Sequence, residues 1–107
     1  MQRVTMVRYT AKPDRADENE ALSRAVFEEL RMNTPAGVAY ALCRGGDEFV
    51  HVFINFDGDD SAPVTGLPSF KAFEQDAVSR WLAPPEATRL SVRVVESYGF
   101  ERTPALV

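Results

Sequence analysis

The sequence predicts an α+β domain whose strands and helices follow in the order β-α-β-β-α-β. Four segments have the apolar pattern of strands, two carry apolar stripes at helical spacing, and turn residues separate all six. This order is typical of a ferredoxin-like fold, a four-stranded antiparallel sheet with both helices on one face. At 107 residues the chain is long enough for one such core and too short for two.

The first strand and the first helix have clear limits in the sequence. Residues 3–11 (RVTMVRYTA) alternate with period two, and a Lys-Pro-Asp turn ends this strand. Residues 17–33 then carry apolar side chains at offsets of three, four and eight, which predicts a helix with one buried stripe. Asp17 and Glu20 resemble a capping box at the start of this helix.

A β-hairpin is expected next. Residues 38–44 (VAYALCR) and 49–56 (FVHVFINF) have strand composition, and only Gly45-Gly46-Asp47-Glu48 separates them. The acidic segment 57–63 is expected to be a solvated loop, because its spacing lacks the later glutamate that an EF-hand calcium loop needs.

The rest of the chain predicts one helix, one strand and a tail. Pro68 suits the first turn of a helix, and Pro84-Pro85 stops it. Its apolar stripe is Phe70, Phe73, Ala77 and Trp81, and Trp81 is expected in the core. Residues 88–100 predict a long last strand. Residues 101–107 are expected to form a tail beyond the single domain of residues 1–100.

Composition restricts the function classes. The formal net charge of −4 argues against nucleic-acid binding, because that affinity rests on neutralising phosphates. No apolar run approaches a membrane span of about 18 residues, and the first residues alternate instead of forming an apolar leader. Cys43, the lone cysteine, is expected to be a small buried apolar residue outside any disulfide or metal cluster. A cytoplasmic protein without nucleic-acid, membrane or metal partners is therefore expected.

The strand of residues 49–56 contains the only histidine of the chain. Strand alternation divides its residues between two faces of the sheet. We assign the aliphatic set, Val50, Val52 and Ile54, to the face that meets the helices. The opposite face then carries Phe49, His51, Phe53 and Asn55. Two phenylalanines are too apolar for open solvent, so we expect a second subunit to cover this face and enclose a space between the two sheets.

Several of these segments resemble proteins of the dimeric α/β-barrel superfamily, and within it the small antibiotic-biosynthesis-monooxygenase-like proteins. The resemblance covers residues 3–100. It rests on the Lys-Pro turn, on the Pro-Ala-Gly sequence that begins PAGVAYALCR and leads into the second strand, and on the aromatic helix LPSFKAFEQDAVSRW. It implies a homodimer whose sheets form a barrel with a small-molecule pocket. Some members oxidise polycyclic aromatic compounds with dioxygen and no cofactor, some degrade haem, and many have no known activity.

The chain departs from two patterns of this group. Members often carry Glu and Trp two residues apart in the third strand, where this chain has Phe53 and Asn55. Haem-degrading members use an Asn in the first strand, where this chain has Met6, and a His in the second helix, which has none here. The comparison argues against haem chemistry, and no cofactor is expected.

The candidate site consists of His51, Asn55 and Arg8. His51 is either a partly buried interface residue bonded to a backbone carbonyl, or a pocket acid/base or hydrogen-bond donor, since its reference pKa lies nearest neutrality. Asn55 either ends its strand or holds a ligand carbonyl or enolate oxygen. Arg8, on the neighbouring strand in this fold, is either an intersubunit ion-pair or snorkelling residue, or a guanidinium that binds the same oxygen.

The surroundings of this site leave two function classes open. Phe49 and Phe53 would supply an apolar wall, and Tyr40 is either a core residue or a pocket hydroxyl. One class is a cofactor-independent monooxygenase acting on a small aromatic or phenolic compound. The other is a dimeric protein that binds a small ligand, or is purely structural, and performs no chemistry.

Overall fold

The computed structural model describes residues 2–56 and 62–99. The described chain runs through one strand, a short 3-10 turn at Pro13–Arg15, one long helix, a hairpin, three short helices and a last strand. The elements are β1 (Arg3–Thr10), α1 (Ala16–Asn33), β2 (Val38–Gly45), β3 (Glu48–Asn55), α2 (Ala62–Thr65), α3 (Pro68–Gln75), α4 (Ala77–Arg80) and β4 (Glu86–Ser91).

The four strands form one antiparallel sheet in the order β2-β3-β1-β4, and α1 and α3 pack together on one of its faces. Glu29 of α1 accepts hydrogen bonds from the backbone N–H of Ser69, at 2.9 Å, and from its hydroxyl, at 2.6 Å, in the first turn of α3. The predicted α+β, ferredoxin-like fold is confirmed. No helix in the described parts of the chain is long and apolar enough to cross a membrane.

The start of α1 differs from the prediction. Arg15 is the N-cap residue and forms no side-chain capping bond, so the capping box is wrong. Asp17 and Glu20 instead accept hydrogen bonds from Arg44 of β2, at 3.0 and 2.9 Å. These carboxylates therefore tie the helix to the sheet. At the other end, Thr34 adopts a left-handed conformation and its N–H bonds to the carbonyl of Leu30, a common way to end a helix.

The predicted second helix is divided. Asp76, at φ −127° and ψ 24°, leaves helical geometry and separates α3 from α4. Its carbonyl accepts a 2.7 Å bond from the Ser79 hydroxyl, and its carboxylate lies 3.3 Å from Arg15. The break turns α4 so that Ala77 and Arg80 are both buried. The expected loop at 57–63 falls on residues 57–61, outside the described residues, and on the start of α2.

The last strand is shorter than predicted. Ser91 ends β4, and it is paired with Arg3, the first residue of β1. The ladder between β1 and β4 ends at this pair. The Gln2 side chain instead accepts a 2.7 Å bond from the backbone of Val94. The expected tail, residues 101–107, lies outside the described residues.

The face assignment of β3 is wrong. Phe49, His51, Phe53 and Asn55 lie on the helix-covered face, where Phe49 is fully buried and the His51 ring is 5.8 Å from Phe73 of α3. The aromatic rings of β3 therefore pack in the core between the sheet and the helices.

The aliphatic residues of β3 lie on the other face of the sheet. Val50, Val52 and Ile54 are paired with Arg8, Met6 and Val4 of β1. Cys43 is paired with Val50 across the hairpin, and it is exposed, not buried as predicted. This surface, the open sheet face, is also formed by Ala39, Ala41 and Leu90.

Candidate functional site

His51 lies between two tyrosine hydroxyls beneath the helices. Its Nε2 is 2.8 Å from Tyr9 Oη, and its Nδ1 is 2.7 Å from Tyr40 Oη. The strand register explains this placement: Tyr9 of β1 is opposite Phe49, and Tyr40 of β2 is opposite Phe53. Each tyrosine is therefore a diagonal neighbour of His51 on the same face, within reach of long side chains.

The hydrogen bonds continue from Tyr9 into the helices. Asn19 of α1 donates from Nδ2 to Tyr9 Oη at 2.8 Å. Arg80 of α4 donates from Nε to Asn19 Oδ1 at 3.0 Å, and from Nη2 to the Phe73 carbonyl at 2.6 Å. Arg80 and Asn19 are both 0% exposed. We call the five side chains Arg80, Asn19, Tyr9, His51 and Tyr40 the buried relay.

Aromatic rings surround the buried relay. Phe27 lies 4.6 Å and Phe53 5.6 Å from the Tyr40 ring, and Trp81 lies 5.2 Å from the Tyr9 ring. The Arg80 guanidinium is placed over Phe73, 5.0 Å from the ring centre, which compensates part of the cost of burying its charge. The relay therefore crosses an apolar layer, where each hydrogen bond is electrostatically stronger than in water.

Burial keeps three members of the relay uncharged. It lowers the pKa of His51 to about 4, so the imidazole is neutral at pH 7. It also raises the pKa of Tyr40 and that of Tyr9, although the bond from Asn19 opposes the shift at Tyr9. Burial lowers the pKa of Arg80, but a guanidinium stays protonated in proteins. The relay thus holds one cation and four neutral side chains.

The predicted site residues are not brought together. Arg8 is paired with Val50, on the open sheet face, and its guanidinium lies 3.0 Å from Glu48. It cannot meet a ligand of His51, so that part of the prediction is wrong. Arg8 instead borders a surface groove of about 380 Å³ together with Glu48 and Glu86. Asn55 is buried on the same face as His51, four positions along β3, which is about 13 Å.

The sequence prediction missed Asn19, Tyr9 and Arg80. A signal was present in α1, where Asn19 falls four residues before Ser23 and seven before Val26, all on the buried side of the helix. A polar residue in such a stripe needs a buried partner. Arg80 has a similar position beside Ala77. In the described residues, no group of three His, Cys, Asp or Glu side chains is placed to hold a metal.

Solved structures share this architecture. Rv0793 from Mycobacterium tuberculosis superposes with a TM-score of 0.72 at 18% identity, covering 91% of this chain and 100% of that chain. A candidate antibiotic biosynthesis monooxygenase from Caulobacter crescentus CB15 gives 0.71 at 18% identity, covering 85% and 89%. A second such candidate, from Nitrosomonas europaea, gives 0.70 at 15%, covering 83% and 88%.

The chain has the fold of the antibiotic-biosynthesis-monooxygenase-like proteins. At these identities the likeness establishes the fold and says nothing of the chemistry. No protein-family model matches the sequence, and no curated protein matches it. The buried relay is the feature of this chain that bears most directly on its function.

Proposed function

We propose that the chain is a cofactor-independent, monooxygenase-like protein that binds a small aromatic or phenolic compound next to Tyr40. The observation that carries the proposal is the buried relay, which ends at Tyr40, a half-buried residue whose ring packs against the Phe27 and Phe53 rings. Solved structures that share this fold are named as candidate antibiotic biosynthesis monooxygenases, which makes an oxygenase the class of enzyme to test first.

The surroundings of Tyr40 suit a flat molecule with one oxygen. Binding sites for such ligands are mostly apolar, with a few polar groups that fix the orientation. Phe27 and Phe53 are rings that a planar ligand can stack against. The Tyr40 hydroxyl is the polar group, and His51 holds it in place. Asn55 is also a diagonal neighbour of Tyr40 across the β2–β3 pair, on the side away from His51.

The reaction needs electrons only from its substrate. A phenol or activated C–H group loses a proton to water, and the resulting electron-rich carbon adds to dioxygen. The O–O bond then breaks: one oxygen remains as a new carbonyl on the carbon, and the other leaves as water, which takes the remaining hydrogen of that carbon and the proton released in the first step. The donor at Tyr40 would stabilise the phenolate or enolate that forms first. His51 would act through Tyr40 and not as the base.

A second candidate function is binding without chemistry. It is favoured by one observation: both ring nitrogens of His51 are bonded to tyrosines, and burial lowers its pKa to about 4. A general base should titrate near the working pH and reach the proton it removes. The relay contains no such base. Binding a ligand without chemistry requires none, so the relay as it stands is sufficient for a carrier.

We also propose that the protein is a homodimer and that two open sheet faces pack together as a barrel. Val50, Val52 and Ile54 make this face apolar, and Met6 and Leu90 on it are 44% and 47% exposed. An apolar patch of this kind is typical of an interaction surface. The ligand site proposed above lies on the other face, so each subunit would hold its own site.

Two measurements on one compound panel test the proposal. Oxygen uptake and thermal shift are recorded with hydroxyquinones and naphthols, for the wild type and for Tyr40→Phe. Tyr98→Phe, which alters a tyrosine 86% exposed, is the matched control. Uptake that is lost only in Tyr40→Phe supports the enzyme, and shifts without uptake support the carrier. A panel without uptake or shifts contradicts both functions.

A further inference from the structure

The donor and the acceptor of each hydrogen bond in the buried relay, which together define its direction, can be assigned starting from Arg80. Arg80 is a donor at every nitrogen and accepts no hydrogen bond. Its Nε lies 3.0 Å from Asn19, so the amide must turn its oxygen toward Arg80. The amide nitrogen then faces Tyr9 and donates to the hydroxyl oxygen at 2.8 Å. The first two bonds of the relay therefore run outward from Arg80.

The next bond follows from the charge of Arg80. A nearby cation favours hydroxyl dipoles that turn their oxygen toward it and their hydrogen away, and successive bonds polarise one another in the same direction. For Tyr9 this means accepting from Asn19 and donating to Nε2 of His51, 2.8 Å away. His51 is then neutral with its proton on Nδ1, and it donates to Tyr40 Oη at 2.7 Å.

We propose that Arg80, through Asn19 and Tyr9, fixes His51 as the Nδ1–H tautomer, so that Tyr40 presents its O–H to an anionic oxygen of the ligand. The ligand class is a phenolate or an enolate, and Arg80 and Asn19 are positioning residues. The ligand part of this inference rests on the proposed function. The direction of the relay does not.

Exposure along the relay agrees with this direction. Arg80 and Asn19 are 0% exposed, Tyr9 is 5% and His51 is 7%, whereas Tyr40 is half-buried. Among the five relay side chains, Tyr40 is therefore the one most open to a ligand. Since burial raises the pKa of Tyr40, this hydroxyl keeps its proton at neutral pH and is a donor. A donor selects a negatively charged oxygen over an ether oxygen of the same shape.

The tautomer can be measured directly, because His51 is the only histidine in the chain. Nitrogen-15 NMR of the ligand-free protein should give one neutral imidazole protonated on Nδ1. In Asn19→Asp the new carboxylate accepts hydrogen bonds from both Arg80 and the Tyr9 hydroxyl. The Tyr9 oxygen must then accept from His51, so His51 donates from Nε2. The expected result is a change of tautomer. Protonation on Nε2 in the wild type overturns the inference, whether or not the variant folds.

Ligand titration separates this inference from the proposed function. A naphtholate that binds the wild type should bind Asn19→Asp about tenfold more weakly, because Tyr40 then donates to His51. Its O-methyl ether should bind both proteins equally weakly. If the tautomer changes as expected but no phenol binds, the relay direction is supported and the proposed function is contradicted. If phenols bind while the wild type is protonated on Nε2, the function is supported and the relay direction is wrong.

Discussion

Arg8 and His51 lie on adjacent strands, but their side chains are on opposite faces of the sheet. Val7 is the residue directly opposite His51, whereas Arg8 is opposite Val50. This relationship divides the molecule into two surfaces with different properties. The helix-covered face holds a polar relay inside an aromatic layer, and the open sheet face holds aliphatic residues with Arg8 near its rim. Assembly and ligand binding should respond to different substitutions.

Val52→Asp should abolish the dimer and leave the subunit folded. Val52 lies on the open sheet face, opposite Met6, where a charge is solvated in the monomer but would be buried without a partner between two sheets. Light scattering should give about twice 11.9 kDa for the wild type and 11.9 kDa for the variant. Val26→Asp, on the fully packed side of α1, should unfold the chain. A dimeric Val52→Asp protein would argue against the barrel.

His51→Ala should destabilise the fold by about 2–4 kcal/mol. Both tyrosine hydroxyls would lose a buried partner, and a cavity would remain beneath Phe73. Urea unfolding measures the loss. Arg8→Ala, which removes only an exposed ion pair with Glu48, should leave the free energy of unfolding nearly unchanged, because exposed ion pairs contribute little. Equal effects of the two substitutions would mean that His51 is not a core group.

Acidification should weaken the fold through His51. The folded pKa is about 4, below the ordinary value of about 6.5, so the unfolded chain binds more protons between these values. The contribution is complete above pH 6.5 and is lost as pH falls toward 4, to a total of about 3 kcal/mol. Unfolding free energies at several pH values should show this slope in the wild type. In His51→Gln the slope between pH 6.5 and 5 should disappear.

Tyr9→Phe and Tyr40→Phe should differ in what they change. Tyr9→Phe leaves Asn19 and His51 without their shared partner in the middle of the relay, and should cost about 1–3 kcal/mol of stability. Tyr40→Phe removes only the end group and should cost about 1 kcal/mol, yet eliminate ligand-induced thermal shifts. A Tyr40→Phe protein that binds phenols normally would place the ligand elsewhere.

The order of the elements could be predicted because the patterns behind it are local. Period-two alternation in residues 3–11 and the aromatic stripe after Pro68 needed no knowledge of neighbouring strands. The length of β4 could not be predicted, since it depends on where its partner β1 begins: Ser91 is paired with Arg3. The helix break at Asp76 could not be predicted either, because the spacing of apolar residues is the same on a continuous helix.

The site was harder to predict than the fold because alternation distinguishes two faces without saying which one meets the helices. Both sets of β3 residues contain large apolar side chains, so composition alone favours the aliphatic set for the helix side without deciding it. The deciding partners of His51 are Tyr9 and Tyr40, which come from other strands at diagonal positions. Only the register of both strand pairs reveals that these three residues meet. Arg80 lies 61 positions from Asn19, and nothing local connects them.

The exposed Cys43 gives the molecule a built-in probe of self-association. It is the only thiol of the chain, and it shares the open sheet face with Val50. If two such faces pack together, a thiol-reactive dye can reach the sulfur only while the subunits are apart. The labelling rate would then fall as protein concentration rises. That dependence would give the dissociation constant of the wild-type protein without a single substitution.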